Sequence, residues 1–183
     1  MQADGPVDLV GHDWGGAIVI RLVSTRPDLV RSWVTDAAGI AHPEMEWHDV
    51  AKVWLTPGAG EDFWAQQLAE PVEARAALFE LFGVPHDEAM SIAEQIDQTM
   101  ADCILALYRS AGEVGKEWAP DFVDIPKPGL VFVAVDDALG SVPRSTEAAE
   151  RAGAEVEELK GVAHWWMLQD PATPAEALTR FWA

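Results

Sequence analysis

The chain is short of positive charge. Its 12 lysines and arginines face 31 aspartates and glutamates, a formal net charge of −19. A surface of that sign repels phosphate backbones and anionic lipid, which excludes nucleic acid and anionic membranes as partners and disfavours anionic substrates. Cysteine is nearly absent. The single Cys103 rules out an internal disulfide framework and suits a reducing cytoplasm, the expected location. It leads into the apolar run Ile104-Leu-Ala-Leu, so a buried structural thiol is expected there. No apolar run is long enough to cross a membrane, and no secretory leader is read at the start. The histidines, at positions 12, 42, 48, 86 and 164, lack zinc-like spacing, and no glycine-rich phosphate loop or internal repeat occurs. Neither a metal nor another cofactor is expected. Tyrosine is limited to Tyr108. Tryptophan is plentiful by contrast. Nine tryptophans and 49% hydrophobic residues argue for a packed fold despite the acidity, and 183 residues are material for one domain with a sizeable core.

The most informative segment is Val7-Asp-Leu-Val-Gly-His-Asp-Trp-Gly-Gly16. An apolar run, Val7 to Val10, stops at Gly11. Asp13 stands in a G-x-D-x-G frame, and a helical stretch follows. This is the layout of a nucleophile elbow, a sharp strand-to-helix turn with the reactive side chain at its apex. Strand and helix backbones nearly collide at such a turn, so the flanking glycines, Gly11 and Gly15, are expected to have no room for a Cβ. The apex also lies beside a helix N-terminus, where free N–H groups can hold a developing oxyanion. An Asp at the apex suits attack on an sp3 carbon, giving an alkyl ester that activated water then hydrolyses. Carbon–halogen bonds and strained epoxide C–O bonds fit that chemistry, and ordinary esters do not. The alternative is a turn Asp that merely caps the next helix.

Two later segments complete a constellation. In Pro128-Gly-Leu-Val-Phe-Val-Ala-Val-Asp-Asp137, a buried strand over Leu130 to Val135 ends in two consecutive acids. Catalytic groups collect at the carboxyl ends of parallel strands, and an acid there can orient an imidazole. In Gly161-Val-Ala-His164-Trp-Trp, a histidine follows the strand Val156 to Leu159 and precedes a last helix, Pro174 to Phe181. The order nucleophile, acid, histidine is Asp13, Asp137, His164.

On these residues the chain resembles the α/β-hydrolase superfamily, in the aspartate-nucleophile branch of epoxide hydrolases and haloalkane dehalogenases. The resemblance extends over nearly the whole sequence. The family's G-H-D-W-G-G elbow matches Gly11 to Gly16 and implies that Asp13 is the nucleophile. Its strand-G-x-D-D-P acid loop matches Ala134-Val-Asp-Asp-Ala138, with Ala for both Gly and Pro, and implies Asp137 rather than Asp136 as the acid. Its G-H-aromatic segment matches Ala163-His164-Trp165 and implies His164 as the base. Some relatives draw the acid from the end of the next strand, which leaves Asp36 as the alternative. The resemblance further implies that the Trp14 N–H serves as an oxyanion donor and that Trp14 contacts a leaving group. It also gives Tyr108, in Leu107-Tyr-Arg-Ser110, the task of donating to an epoxide oxygen. The second tyrosine of many epoxide hydrolases has no counterpart around Phe63 and Trp64. For a halide, a second indole donor would come from Trp47, Trp54 or Trp64. Tyr108 favours the epoxide hydrolase, with the dehalogenase as the alternative, and a small apolar organic molecule and water as the reactants.

The expected architecture is α/β, the C-terminal part of an α/β-hydrolase fold: a mostly parallel sheet of about four strands with a helical cap insertion. Core is expected over residues 1–39 and 126–183, and the cap over 40–125. The strands are Val7 to Val10, Ser32 to Thr35, Leu130 to Val135 and Val156 to Leu159. Helices are expected over Gly16 to Thr25, Ala74 to Phe82, Glu88 to Tyr108 and Thr146 to Ala152. Roughly the first half of the family's sheet, with the H-G-x-P loop that gives a second oxyanion donor, has no counterpart before Val7. A truncated, impaired hydrolase fragment is therefore a further alternative, since its first strand would be an unpaired apolar edge.

Overall fold

The computed structural model describes residues 5–183. Four strands form one sheet: β1 (Val7–Gly11), β2 (Val30–Thr35), β3 (Gly129–Ala134) and β4 (Glu155–Leu159), in that spatial order and all parallel. The expected sheet is therefore present. β3, Gly-Leu-Val-Phe-Val-Ala, is an almost unbroken apolar run because both of its faces are covered, as parallel strands require.

Helix α1 (Trp14–Thr25) connects β1 to β2, and α8 (Val142–Ala152) connects β3 to β4. Their apolar stripes, Val19, Ile20 and Val23 from α1 and Ala148, Ala149 and Ala152 from α8, pack on one sheet face with Trp33, Val131 and Val133. The other face holds Val34, Leu130, Phe132 and Leu159 against Trp166 and Ala177 of the last helices, α9 (Trp166–Gln169) and α10 (Ala172–Phe181). Along β3 the side chains alternate between these two clusters, and Trp33 and Val34 of β2 do likewise, as strand geometry demands.

Between β2 and β3 the chain forms only helices and turns: α2 (Asp49–Leu55), α3 (Ala59–Ala69), α4 (Val72–Glu80), α5 (His86–Gln95), α6 (Gln98–Ser110) and α7 (Val114–Trp118). The single helix expected over Glu88 to Tyr108 is two. It breaks at Ile96, and α6 restarts on Asp97, whose carboxylate caps the Met100 N–H at 2.9 Å. Cys103 is exposed, contrary to expectation. The reason is register. α6 buries Ala101, Leu105 and Tyr108, and Cys103 falls on the opposite side of that stripe. α8 begins four residues before the expected Thr146, because Ser141 caps it and Pro143 is pre-organised in its first turn. No helix among the described residues is long and apolar enough to cross a membrane.

The two edges of the sheet differ. β4 carries Glu155, Glu157 and Glu158, and this charge discourages further strand pairing. β1 pairs only with β2 among the described strands, and its Val10 is half exposed.

One close approach pins β2 to β3. The Trp33 indole is fully buried, edge-on to Phe122 with ring centres 5.4 Å apart, and it donates to the Lys127 carbonyl at 3.2 Å. It lies against Gly129, where an added Cβ would run into the ring. Gly129→Ala should therefore destabilise the fold by about 1–3 kcal/mol through overpacking, measurable by urea unfolding.

Candidate active site

The register sets the site. Gly11 pairs with Thr35, Thr35 with Val131, and Ala134 with Leu159, so all the strands deliver their following loops to one end of the sheet. Asp13 follows β1, Asp36 follows β2, Asp137 follows β3, and His164 follows β4.

The turn after β1 is very tight. A Cβ on Gly11 would lie 2.4 Å from the Gly15 carbonyl oxygen, and one on Gly16 would lie 2.5 Å from Thr35 Oγ1. Gly15 has nothing within 4 Å of a hypothetical Cβ, so the two sterically required glycines are Gly11 and Gly16, not Gly11 and Gly15 as the motif suggested. Asp13 itself has φ 51° and ψ −125°. Among the described non-glycine residues it shares a positive φ only with Asp124. Such a backbone costs on the order of 1–3 kcal/mol and persists only where its surroundings enforce it. The Asp13 carboxylate makes no capping hydrogen bond to α1 and is half exposed. The helix-capping alternative therefore does not describe it.

His164 stands opposite. Its Nε2 is 3.9 Å from Asp13 Oδ1, beyond hydrogen-bonding range, and its Nδ1 is 3.0 Å from Asp137 Oδ2. The other Asp137 oxygen accepts the Leu139 N–H at 2.8 Å, which fixes the carboxylate. The neighbouring Asp136 is exposed. Nδ1 therefore donates to Asp137 and leaves Nε2 free on the side of Asp13. The His164 loop is held by Gln169, whose Oε1 accepts the Ala163 N–H at 2.6 Å. Burial pulls the His164 pKa down, but the Asp137 hydrogen bond and the charges of Asp137, Asp13 and Asp36 outweigh it, so the net shift is upward. Asp137 moves the other way. Burial alone would raise it, and its bond to His164, the His164 charge and the Leu139 N–H bring it below the ordinary carboxylate value.

Asp36, the alternative acid, makes no hydrogen bond or ion pair with His164 among the described contacts. Its oxygens face His12 Nδ1 at 2.5 Å, the Asp13 N–H at 3.0 Å and the Trp166 indole N–H at 2.7 Å.

An aromatic wall faces this group. The Tyr108 ring lies edge-on to Trp14 at 5.4 Å and to Trp54 at 4.8 Å, and it is tilted against Trp47 at 5.0 Å. Tyr108 is buried, and desolvation pushes its phenol up to about 12, with the Trp14 side chain opposing and Asp13 adding to the rise. It thus keeps its proton at neutral pH and can donate it as a hydrogen bond. The Trp47 indole N–H is committed to the Gly112 carbonyl at 3.3 Å, whereas those of Trp54 and Trp64 are buried without a protein partner.

Sequence reasoning assigned no role to His48. It caps α2, with Nδ1 accepting the Ala51 N–H at 3.2 Å, so the neutral ring carries its proton on Nε2. Burial lowers its pKa, with Asp13 and Asp137 opposing and His164 reinforcing that shift. The available signal was a histidine just ahead of a helical run, which reads more simply as a polar turn. No group of three or more potential metal ligands occurs among the described residues.

Comparison with known proteins agrees with this fold. Residues 2–177 match the family model described as "Alpha/beta hydrolase family", and the chain belongs to that family. It is 36% identical over 75 residues to the lipase LipV of Mycobacterium tuberculosis, a stretch covering 41% of this chain and 26% of that protein. Among solved structures, it superposes on an E-2-(acetamidomethylene)succinate hydrolase with a TM-score of 0.70 at 21% identity, covering 97% of this chain and 67% of the other. The 2-hydroxy-6-oxo-6-phenylhexa-2,4-dienoate hydrolase of Rhodococcus sp. strain RHA1 gives a TM-score of 0.70 at 18% identity, covering 97% and 64%. The chain thus spans about two thirds of these structures' length, and its matched stretch covers about a quarter of the lipase. At such identities the structural likeness shows the fold.

The two glycines can be told apart by substitution. Gly15→Ala should leave the melting temperature essentially unchanged. Gly16→Ala should lower it by several degrees, an overpacking cost of about 1–3 kcal/mol, since its methyl meets Thr35 and the Gly11 carbonyl. Thermal unfolding followed by circular dichroism reads both.

Proposed function

We propose that the chain carries the chemistry of an aspartate-nucleophile hydrolase, most like an epoxide hydrolase. The carrying observation is the Asp13 carboxylate, held at positive φ on the elbow, free of any capping bond and facing a His164 that Asp137 orients. In this reading an Asp13 oxygen attacks an sp3 carbon of the substrate. A ring C–O bond breaks, and Tyr108 gives its proton to the departing oxygen. His164 Nε2 then takes a proton from water, and the resulting hydroxide attacks the Asp13 ester carbonyl. The Trp14 N–H at the start of α1 stabilises the developing oxyanion. Collapse releases a diol, and the His164 proton returns through solvent to the Tyr108 phenolate. The sum is epoxide plus water giving diol. Helices α2 to α7 serve as the cap that walls the substrate, with Tyr108 and its aromatic neighbours lining it.

The haloalkane dehalogenase reading rests on a separate observation. The Trp54 indole N–H is buried without a protein partner, and its ring lies edge-on to Tyr108, which itself touches Trp14. Two indole donors suit a departing halide, because an indole N–H donates and cannot accept.

Mass spectrometry of His164→Gln separates the two. Without the base the ester should persist. A shift by the full mass of an epoxide, mapped to Asp13, supports the first reading. A shift by the alkyl group without its halogen supports the second. No adduct from either probe, in a protein folded by circular dichroism, overturns both.

The pH dependence follows from the direction of the His164 shift. Only neutral His164 accepts a proton, so ester hydrolysis should fall away as pH drops through a midpoint above the ordinary histidine value of 6.5. Asp137→Asn removes the hydrogen-bonded charge. It should move that acid limb to lower pH and slow ester hydrolysis by about 10²–10⁴-fold, read from stopped-flow single turnovers.

A further inference from the structure

We propose that Asp36 is a positioning residue, a buried carboxylate that ties the elbow to the histidine loop and so sets the spacing between Asp13 and His164. The inference rests on the reading of Asp13 and His164 as nucleophile and base. Asp36 touches neither reacting atom. Its side chain is only 9% exposed, and it collects three donors from two loops. Oδ1 accepts the backbone N–H of Asp13 at 3.0 Å, the residue with the strained φ. Oδ2 accepts His12 Nδ1 at 2.5 Å and the Trp166 indole N–H at 2.7 Å. His12 is the residue before the apex, and Trp166 lies two residues beyond His164.

The imidazole that Asp36 holds is itself packed on the base. The His12 and His164 rings lie 4.7 Å apart at 49°, and His12 also meets Trp165 at 5.2 Å. Asp36 therefore acts on both halves of the pair: through the backbone on Asp13, and through His12 and Trp166 on His164. Asp36 and the orienting acid Asp137 both line a cavity of about 20 Å³, room for a single water. Buried carboxylates that collect several donors in this way hold their partners in one geometry. A carboxylate placed to do this for an elbow and a base loop together is worth more to the rate than to the fold, because small misplacements of reacting groups are costly.

The test pairs two variants. Asp36→Asn keeps the shape, but its amide must present N–H toward at least one of the three donors. Trp166→Phe removes one donor and leaves the charge. The readouts are the rate of adduct formation on Asp13 in the His164→Gln background, and the NMR titration of the His164 ring with His164 intact. The titrating and charged groups around His164 are Asp137, Asp13, Asp36, His12 and His48. Asp36→Asn should slow adduct formation about 10- to 100-fold. It should also move the His164 midpoint to lower pH, since one of the charges favouring its protonated form is gone. Trp166→Phe should slow adduct formation by a smaller factor and leave the midpoint in place. If Asp36→Asn does not fold, slowed adduct formation in folded Trp166→Phe supports the proposal and an unchanged rate overturns it. Folded Asp36→Asn with an unchanged rate and midpoint also overturns it, as does a rate loss that only tracks the unfolded fraction. If no probe alkylates the reference protein, the proposed reaction fails instead, and the His164 midpoint in Asp36→Asn alone decides the role of Asp36.

Discussion

Everything in the site depends on how closely β1 and α1 approach at their junction. The backbone turns so sharply that Gly11 and the Gly15 carbonyl would share the space of a Cβ. At this close approach Asp13 holds a positive φ, and its carboxylate makes no capping bond to the helix it precedes. A carboxylate in that place would ordinarily cap the helix and be spent on its N–H groups. Here the steric constraint keeps it free, and the strain is met elsewhere, notably by the bond from the Asp13 N–H to Asp36.

The sheet converts this local turn into a site. Because all four strands run parallel and in near-flush register, every connection on one end is a loop that can carry a functional group, as open α/β sheets in general provide. The electrostatics then divide the acids by environment. Asp137 is tied to an imidazole and a backbone N–H and held ionised. Asp13 is left half exposed and without a protein hydrogen bond to α1, and Asp36 is filled by three donors. Three carboxylates within one loop cluster thereby stand in three distinct environments, and the proposed reaction gives each a different task.

Much of the fold was legible in the sequence because its signals are local. The segments read as strands at Val7, Ser32, Leu130 and Val156 are strands, and Gly11 marks the turn. What was not legible arises from contacts between distant segments. Nothing near Asp36 in sequence indicates that the indole of Trp166, 130 residues away, takes one of its oxygens. His48 reads as a turn residue until α6 brings Tyr108 beside it, with ring centres 6.4 Å apart. Gly15 looked as necessary as its neighbours because the motif places it symmetrically, whereas the helix geometry does not. Cys103 was read from the apolarity of its neighbours in the chain, but burial on a helix follows the three- and four-residue spacing instead.

Trp14 has a double attachment. Its backbone stands at the first turn of α1 beside Asp13, while its ring is stacked on Trp47, 6.0 Å away at 29°, and meets Tyr108 edge-on. Trp47 and Tyr108 belong to the helical stretch between β2 and β3. One residue therefore spans the boundary between sheet and helices like a pin through a hinge. In the proposed reaction the peptide that steadies charge at Asp13 and the ring that touches those helices belong to one residue, so a change at Trp14 reaches both.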